Sequence, residues 1–230
     1  KFGRTGFDIS CVAYGGIVSM KDGQDASDRY VSWAVDKGIN YFDVAPFYGD
    51  AEEKLGNSLK PYRNKIHLAC KTAKRLRVDA EKELNRSLKL LHTDHFDVYQ
   101  LHAITKMDDV DTAFGPGGVM EMVSTLKKRG IAANVGITAH NEDAALRCLE
   151  LYDFDTVLFP FNWFMNLEHQ MGSRLIKAAR ERNMGVLCMK AFIERKWDSE
   201  EEKKASMFPK SWCKPIDVND VEFGTAAMKY

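Results

Sequence analysis

Apolar residues fall into two alternating patterns along the chain. Short segments rich in apolar and β-branched or aromatic residues, such as Ile39-Asn40-Tyr41-Phe42, Phe96 to Leu101, Thr156-Val157-Leu158-Phe159 and Val186-Leu187-Cys188-Met189, have the length of strands. Between them apolar side chains recur every three or four positions, as at Tyr30, Val31, Ala34 and Val35 and again at Leu84, Leu88 and Leu91. The first pattern suits strands covered on both faces, the second amphipathic helices. The reading from the start is a small hairpin over residues 1–10, turned by Gly3, Gly6 and Asp8, and a first strand Cys11-Val12-Ala13-Tyr14 ending at Gly15-Gly16. A helix follows from about Asp25, then the strand Ile39 to Phe42, the helix Ala51 to Leu59 ended by Pro61, and the strand Ile66 to Cys70 with Lys71 just past it. A helix from Asp79 precedes the strand Phe96 to Leu101, which ends in His102; a longer loop leads to a helix from about Val119 to Arg129. The strand from Ala132 ends in Gly136-Ile137-Thr138, Asn141 caps the next helix, and the Thr156 strand, a helix over Glu168 to Arg182 and the Val186 strand complete the series.

Three helix exits carry one punctuation: Lys37-Gly38, Arg129-Gly130 and Asn183-Met184-Gly185 each lead directly into an apolar strand. With strands starting near residues 39, 66, 96, 132, 155 and 186 and one helix in each interval, the spacing predicts parallel strands joined by crossovers. So many repeats favour a (β/α)8 TIM barrel in one domain, 1–230, over an open doubly wound sheet, and no G-x-G-x-x-G follows a strand. The eighth strand is not found: Lys196 to Pro215 reads as a charged, proline-bearing connection, Ser199 to Lys204 as a solvated helix face, and Asp220 to Tyr230 as the helix before that strand. The expectation is a barrel lacking its eighth strand and C-terminal segment, with the native chain extending at both ends; the alternative is an open seven-stranded barrel, which would leave two unpaired edges.

Composition removes several classes of partner. Thirty-three basic residues balance thirty-three acidic ones, so the chain carries no electrostatic footprint for nucleic acid or an anionic membrane. Five scattered cysteines without a C-x-x-C pair read as reduced thiols of a cytoplasmic protein, and no apolar run is long enough to span a membrane. His92 and His95 have ligand-like spacing but precede their strand, on the face opposite the expected chemistry, and read as surface residues. The partner expected is a small molecule; the oligomeric state stays open.

In a barrel the chemistry lies at the carboxyl ends of the strands, which here carry Gly15-Gly16, Asp43, Lys71, His102, Thr138, Asn162 and Lys190. Asp43, Lys71 and His102 close three successive strands and Tyr48 hangs on the loop after the first, so the four can converge. A tyrosine beside an ammonium is a general acid, because the positive charge stabilises phenolate and lowers the phenol's pKa. Asp43 would hold Lys71 charged, and His102 would orient a carbonyl oxygen. With no nucleophile and no metal cluster in the set, the electrons come from a bound cofactor, and hydride transfer to a carbonyl meets that requirement. Phe47, Met20, Trp163 and Phe164 are candidates for an apolar substrate wall.

These residues resemble the aldo-keto reductase superfamily, through Phe2-Gly3-Arg4-Thr5-Gly6, Gly38 to Asp43, Tyr48-Gly49, Ala69-Cys70-Lys71-Thr72, Gln100-Leu101-His102 and Met189-Lys190-Ala191-Phe192. The resemblance implies NAD(P)H-dependent reduction of aldehydes or ketones, with NADPH as cofactor and NADH as the alternative. It makes Asp43, Tyr48, Lys71 and His102 a catalytic tetrad with Tyr48 as proton donor. On the cofactor side it implies Gly15, Gly16, Asp43, Thr138, Asn162, Met189 and Lys190, with Ala139, Leu158 and Met189 standing where many members have asparagine, glutamine and tyrosine. Two other classes stay in view: a Schiff-base aldolase using a neutral Lys71, and a non-catalytic nicotinamide-sensing barrel of the kind that potassium-channel beta subunits in that superfamily represent.

Overall fold

The computed structural model describes residues 1–209, 211 and 213–216, and the side chains of Phe164 and Glu168 lie outside that description. Seven parallel strands stand side by side in chain order: β1 (Tyr14–Gly15), β2 (Tyr41–Asp43), β3 (His67–Thr72), β4 (Phe96–Ile104), β5 (Ala132–Ala139), β6 (Thr156–Pro160) and β7 (Gly185–Met189). The helices between them are α1 (Gln24–Asp36), α2 (Ala51–Leu59), α3 (Arg77–Leu90), α4 (Met107–Phe114), α5 (Met120–Val123), α6 (Glu142–Leu151), α7 (Trp163–His169) and α8 (Ser173–Glu181). This is the strand–helix alternation of a (β/α)8 barrel through its seventh strand. Among the described residues the outer edges of β1 and β7 have no strand partner. The chain after β7 instead forms an antiparallel pair, β8 (Ile193–Arg195) with β9 (Lys214–Pro215), around α9 (Glu200–Ala205). Helix α9 is the solvated segment expected, capped by the Ser199 hydroxyl accepting from Glu202 N–H. The helix expected at 220–230 lies outside the described residues.

The strands read as apolar because both of their faces are covered. Outside, Leu68, Cys70, Tyr99, Leu101, Val135, Ile137, Val157 and Phe159 pack in one cluster with Val31, Leu55, Leu84, Cys148 and Leu175 from the helices. At the amino ends of the strands Tyr41, Ala69 and Val98 meet Phe2. Phe2 is buried, its ring edge-on to Tyr41 at 5.5 Å. The opening residues therefore close the barrel floor as a turn, with Phe2 N–H donating to Phe7 O at 3.0 Å; they make no hairpin, and Cys11 and Val12 are exposed, leaving the first strand only Tyr14–Gly15.

Helix exits share one geometry. At Gly38 (φ 83) and Gly130 (φ 70) a left-handed residue donates three back while the next residue donates five back, Ile39 to Ala34 and Ile131 to Leu126. Asn183 (φ 52), rather than Gly185, does this after α8, and His92 (φ 50) does it after α3. His92 is thus a turn residue, and among the described residues no group of three or more histidines, cysteines and carboxylates could hold a metal ion.

Three helices differ from expectation. The long loop after β4 contains α4, whose buried apolar residues are only Val110 and Ala113, too short a stripe to stand out in the sequence. The helix expected to Arg129 is regular only over α5. Beyond it Thr125 donates to Met122 and Leu126 to Val123, three residues back, which tightens the chain into successive turns. The helix expected over 168–182 is two, α7 and α8, separated where Gln170 (φ 49) and Gly172 (φ 94) turn left-handed. No helix among the described residues is long and apolar enough to cross a membrane.

Candidate active site

The strand ends bring the four expected residues together. Asp43 is the last residue of β2, Lys71 sits within β3, and His102 sits in β4, while Ala45-Pro46 turns the chain so that Tyr48 hangs over them. Lys71 is completely buried, and its ammonium donates to the Asp43 carboxylate and to Val44 O at 3.1 Å. A buried ammonium is tolerated only with such partners. The same ammonium lies 5.3 Å from the centre of the Tyr48 ring, and the Tyr48 and His102 rings meet edge-on at 6.0 Å.

Charge states follow from these positions. Burial, the strongest single influence, pulls Lys71 down, yet the Asp43 and Tyr48 charges and the Asp43 hydrogen bond together leave it above the ordinary lysine value. It is a cation at working pH, which argues against the aldolase chemistry that needs a neutral amine. Tyr48 departs from expectation. Burial raises its pKa more than the Lys71 charge lowers it, with Asp43 raising it further, so the phenol sits above its ordinary value and keeps its proton. His102 is pushed down to about 3 by burial and by the Lys71, Arg75 and His140 charges, so it is neutral near pH 7.

In the sequence Gln100 stands out only as a neighbour of His102. It is completely buried, and its Nε2 donates to Asp43 Oδ2 at 2.9 Å, so one carboxylate oxygen faces Lys71 and the other Gln100. Strand alternation carried this signal: Gln100 is the register partner of Lys71 and stands two residues before His102. His140, one residue beyond β5, and Arg75, on the loop after β3, had no such signal. His140 lines the same cavity and is lowered by burial and by the Lys190 charge.

The cavity over this group has a volume of about 180 Å³ and is walled by Phe47, Tyr48, Lys71, His102, Thr138, His140, Met189 and Lys190, among others. A larger cavity of about 700 Å³ shares Tyr48, Met189 and Lys190 with it and is otherwise mostly apolar, with Ile17, Met20, Ile193 and Phe208. Of the expected apolar wall, Phe47 and Met20 are in place, Trp163 begins α7 and lines neither cavity, and the Phe164 side chain is outside the described set.

The remaining sequence candidates are placed unevenly. Thr138 is buried beside the cavity; its hydroxyl accepts Ala103 N–H at 2.7 Å and keeps its own hydrogen to donate. Asn162 does not line either cavity. Its Oδ1 caps α7 by accepting Met165 N–H at 2.8 Å, and its Nδ2 donates to Lys190 O at 2.9 Å, holding Lys190 in a left-handed conformation (φ 65). Gly15 is exposed with open space about it, whereas a side chain at Gly16 would meet Leu55, Asp43 O and Val44 within 3.0 Å.

Comparison with known proteins gives the family of the chain. The profile of the Aldo/keto reductase family matches residues 17–219. The chain is 27% identical over 178 residues to the uncharacterized oxidoreductase YqkF of Bacillus subtilis, covering 71% of this chain and 56% of that protein. It is 26% identical over 191 residues to the aldo-keto reductase YhdN of the same organism, covering 76% of this chain and 54% of that one. The chain thus spans about half the length of these curated relatives. The solved aldo-keto reductase AKR11C1 from Bacillus halodurans, in its holo form, shares the fold with a TM-score of 0.72 at 20% identity, over 87% of this chain and 70% of that one. With a family profile matched across most of its length and the seven-strand barrel topology, the chain belongs to the Aldo/keto reductase family.

Proposed function

We propose that this chain carries the catalytic face of an NADPH-dependent carbonyl reductase, with NADH as the alternative cofactor, which reduces an aldehyde or ketone to an alcohol. One observation carries the reading: a completely buried ammonium, Lys71, paired with Asp43 directly beneath the ring of a cavity-lining tyrosine. The cofactor-facing residues fit a nicotinamide. Thr138 has a hydroxyl hydrogen to donate, the Met189 thioether can cover a ring face, and Lys190 lines the same cavity. A bound nicotinamide would supply the hydride.

The chain's own residues supply the rest. Tyr48, protonated at working pH, gives its proton to the carbonyl oxygen as negative charge develops there. The phenolate left behind is stabilised by the Lys71 ammonium, which Asp43 and Gln100 keep charged and in place. Neutral His102 donates a hydrogen bond to the same oxygen and orients it.

The test is NADPH binding, read by nicotinamide fluorescence, together with oxidation of NADPH by a panel of small aldehydes. Tyr48→Phe should leave binding nearly unchanged and lower kcat by about 10²- to 10⁴-fold. Equal loss of binding and turnover would remove Tyr48 from the role of acid.

A further inference from the structure

Strand β4 does not run straight through the site. Its pairing with β5 is regular as far as Leu101 opposite Ile137 and resumes with Ile104 opposite Ala139, so His102 and Ala103 together face the single residue Thr138. This is a β-bulge, and bulges re-aim side chains. Ala103 pays for it with φ 54, a left-handed conformation that alanine rarely adopts. Two contacts hold the distorted segment. From one side the Thr138 hydroxyl takes Ala103 N–H. From the other, Arg75 Nη2 donates to His102 O at 2.8 Å and to Ala103 O at 3.0 Å.

Arg75 is itself fixed on every side. Its Nη1 donates to Ala73 O at 3.2 Å and its Nε faces Asp109 Oδ1 at 3.4 Å. The other oxygen of Asp109 takes the N–H groups of Thr105 and Lys106 and so caps α4. The backbone of residues 75–77 is bonded to residues 117–119, through Val119 N–H to Arg75 O and Arg77 N–H to Gly117 O. The planar guanidinium thus spans three carbonyls and a carboxylate, which an ammonium cannot do.

From this geometry we infer that Arg75 is a positioning residue: it clamps the left-handed turn at Ala103 that sets the His102 ring edge-on to Tyr48. The inference rests on the reductase reading for its catalytic consequence, but not for the placement of the ring. His102 is faced by Tyr48 from the loop after β2, Lys71 from β3, Arg75 from the loop after β3 and His140 from the end of β5. Its Nδ1 is buried without a hydrogen-bond partner among the described residues, so the backbone, rather than a side-chain bond at that atom, fixes the ring.

The test follows the imidazole directly. In the full chain, the ring signals of His102, assigned by their absence from His102→Gln, are recorded by nuclear magnetic resonance for Arg75→Met, Arg75→Lys and the double variant Arg75→Met with Ala103→Gly. Arg75→Met should shift the His102 signals and, where turnover is measured, lower kcat by roughly tenfold or more with KM changing less. Arg75→Lys, which keeps the charge and the apolar stem, should shift them in the same way; if Arg75→Met does not fold, this variant carries the test alone. Glycine adopts the left-handed turn without strain, so Ala103→Gly in the Arg75→Met background should restore the native signals and most of kcat. Unchanged His102 signals in Arg75→Met or in Arg75→Lys, or failure of the glycine to restore them, would overturn the clamp. If the signals respond as stated while the chain reduces no carbonyl, the reductase reading falls and the clamp stands.

Discussion

The two sides of the barrel mouth are built differently. On the β2–β4 side functional side chains hold one another: Lys71 on Asp43, Asp43 on Gln100, with the Lys71 charge beneath the Tyr48 ring. On the β1 and β5–β7 side the polar groups hold backbone. Asn162 grips the Lys190 carbonyl, Thr138 takes the Ala103 amide, and Gly16 is packed against Leu55 and Val44. The first side is set in its charge state before any ligand arrives. The second lines the cavity with Thr138, His140, Leu158, Met189 and Lys190, which among the described residues form no buried ion pair like that of Lys71 and Asp43. Preorganised charge is what a developing oxyanion needs, while a flat ring needs little more than a fitted wall.

The most forceful way to break the contrast is to remove one partner of the buried pair. Asp43→Asn leaves the fully buried Lys71 ammonium without its countercharge, and the loss should be about 3–5 kcal/mol in urea unfolding. Replacing both residues by apolar ones of similar volume, Lys71→Met with Asp43→Leu, should recover much of that stability while abolishing turnover. If Asp43→Asn costs less than about 1 kcal/mol, the pair is not holding the charge in the way described.

A smaller effect comes from acid. The folded His102 pKa is about 3 against an ordinary value of 6.5, so below pH 6.5 the unfolded chain takes up a proton that the folded chain refuses. Stability from this residue is therefore complete above pH 6.5 and is lost as pH falls toward 3. Between pH 7 and pH 4.5 the loss amounts to about 2 kcal/mol, allowing for the partial exposure of the ring. His102→Gln should show a correspondingly shallower decline in urea midpoint over that interval, with the remaining decline owing in part to His140, lowered for the same reason. Parallel declines in the two proteins would show that His102 is not kept neutral by the fold.

The same contrast explains what could be read in the sequence. The strands were legible because each is covered on both faces and because Gly38 and Gly130 mark the helix exits with the conformation that glycine takes most readily. The convergence of the β2–β4 side was legible because an aspartate, a lysine and a histidine at successive strand ends have no apolar reason to be there. The low pKa expected for Tyr48 failed because a sequence shows the neighbouring charge but not the depth of burial, and burial dominates. Arg75 was invisible since its role depends on a bulge that no residue type announces. Helix α4 was hidden by its short apolar stripe, and the floor turn was misread as a hairpin because Phe2 looks the same whether it pairs in a strand or plugs a barrel.

Gly15 and Gly16 give the finest test of the second side. Both were expected to let a ligand approach the backbone, but only one has room around it. Gly15 has φ −83 and ψ 112, which alanine adopts freely, and an added methyl would touch nothing within 4 Å. At Gly16 the methyl would lie 2.7 Å from Leu55 Cδ1 and 3.0 Å from both Asp43 O and Val44 Cβ. Gly16→Ala should therefore destabilise the fold by about 1–3 kcal/mol through overpacking, whereas Gly15→Ala should leave urea stability within about 0.5 kcal/mol of the parent. NADPH affinity then sorts the two roles. If Gly15→Ala weakens binding at unchanged stability, open backbone at the end of β1 is where the cofactor-facing side receives its ligand. If it leaves binding intact, the missing side chain at Gly15 serves neither packing nor ligand, and the contact belongs elsewhere on the β5–β7 side.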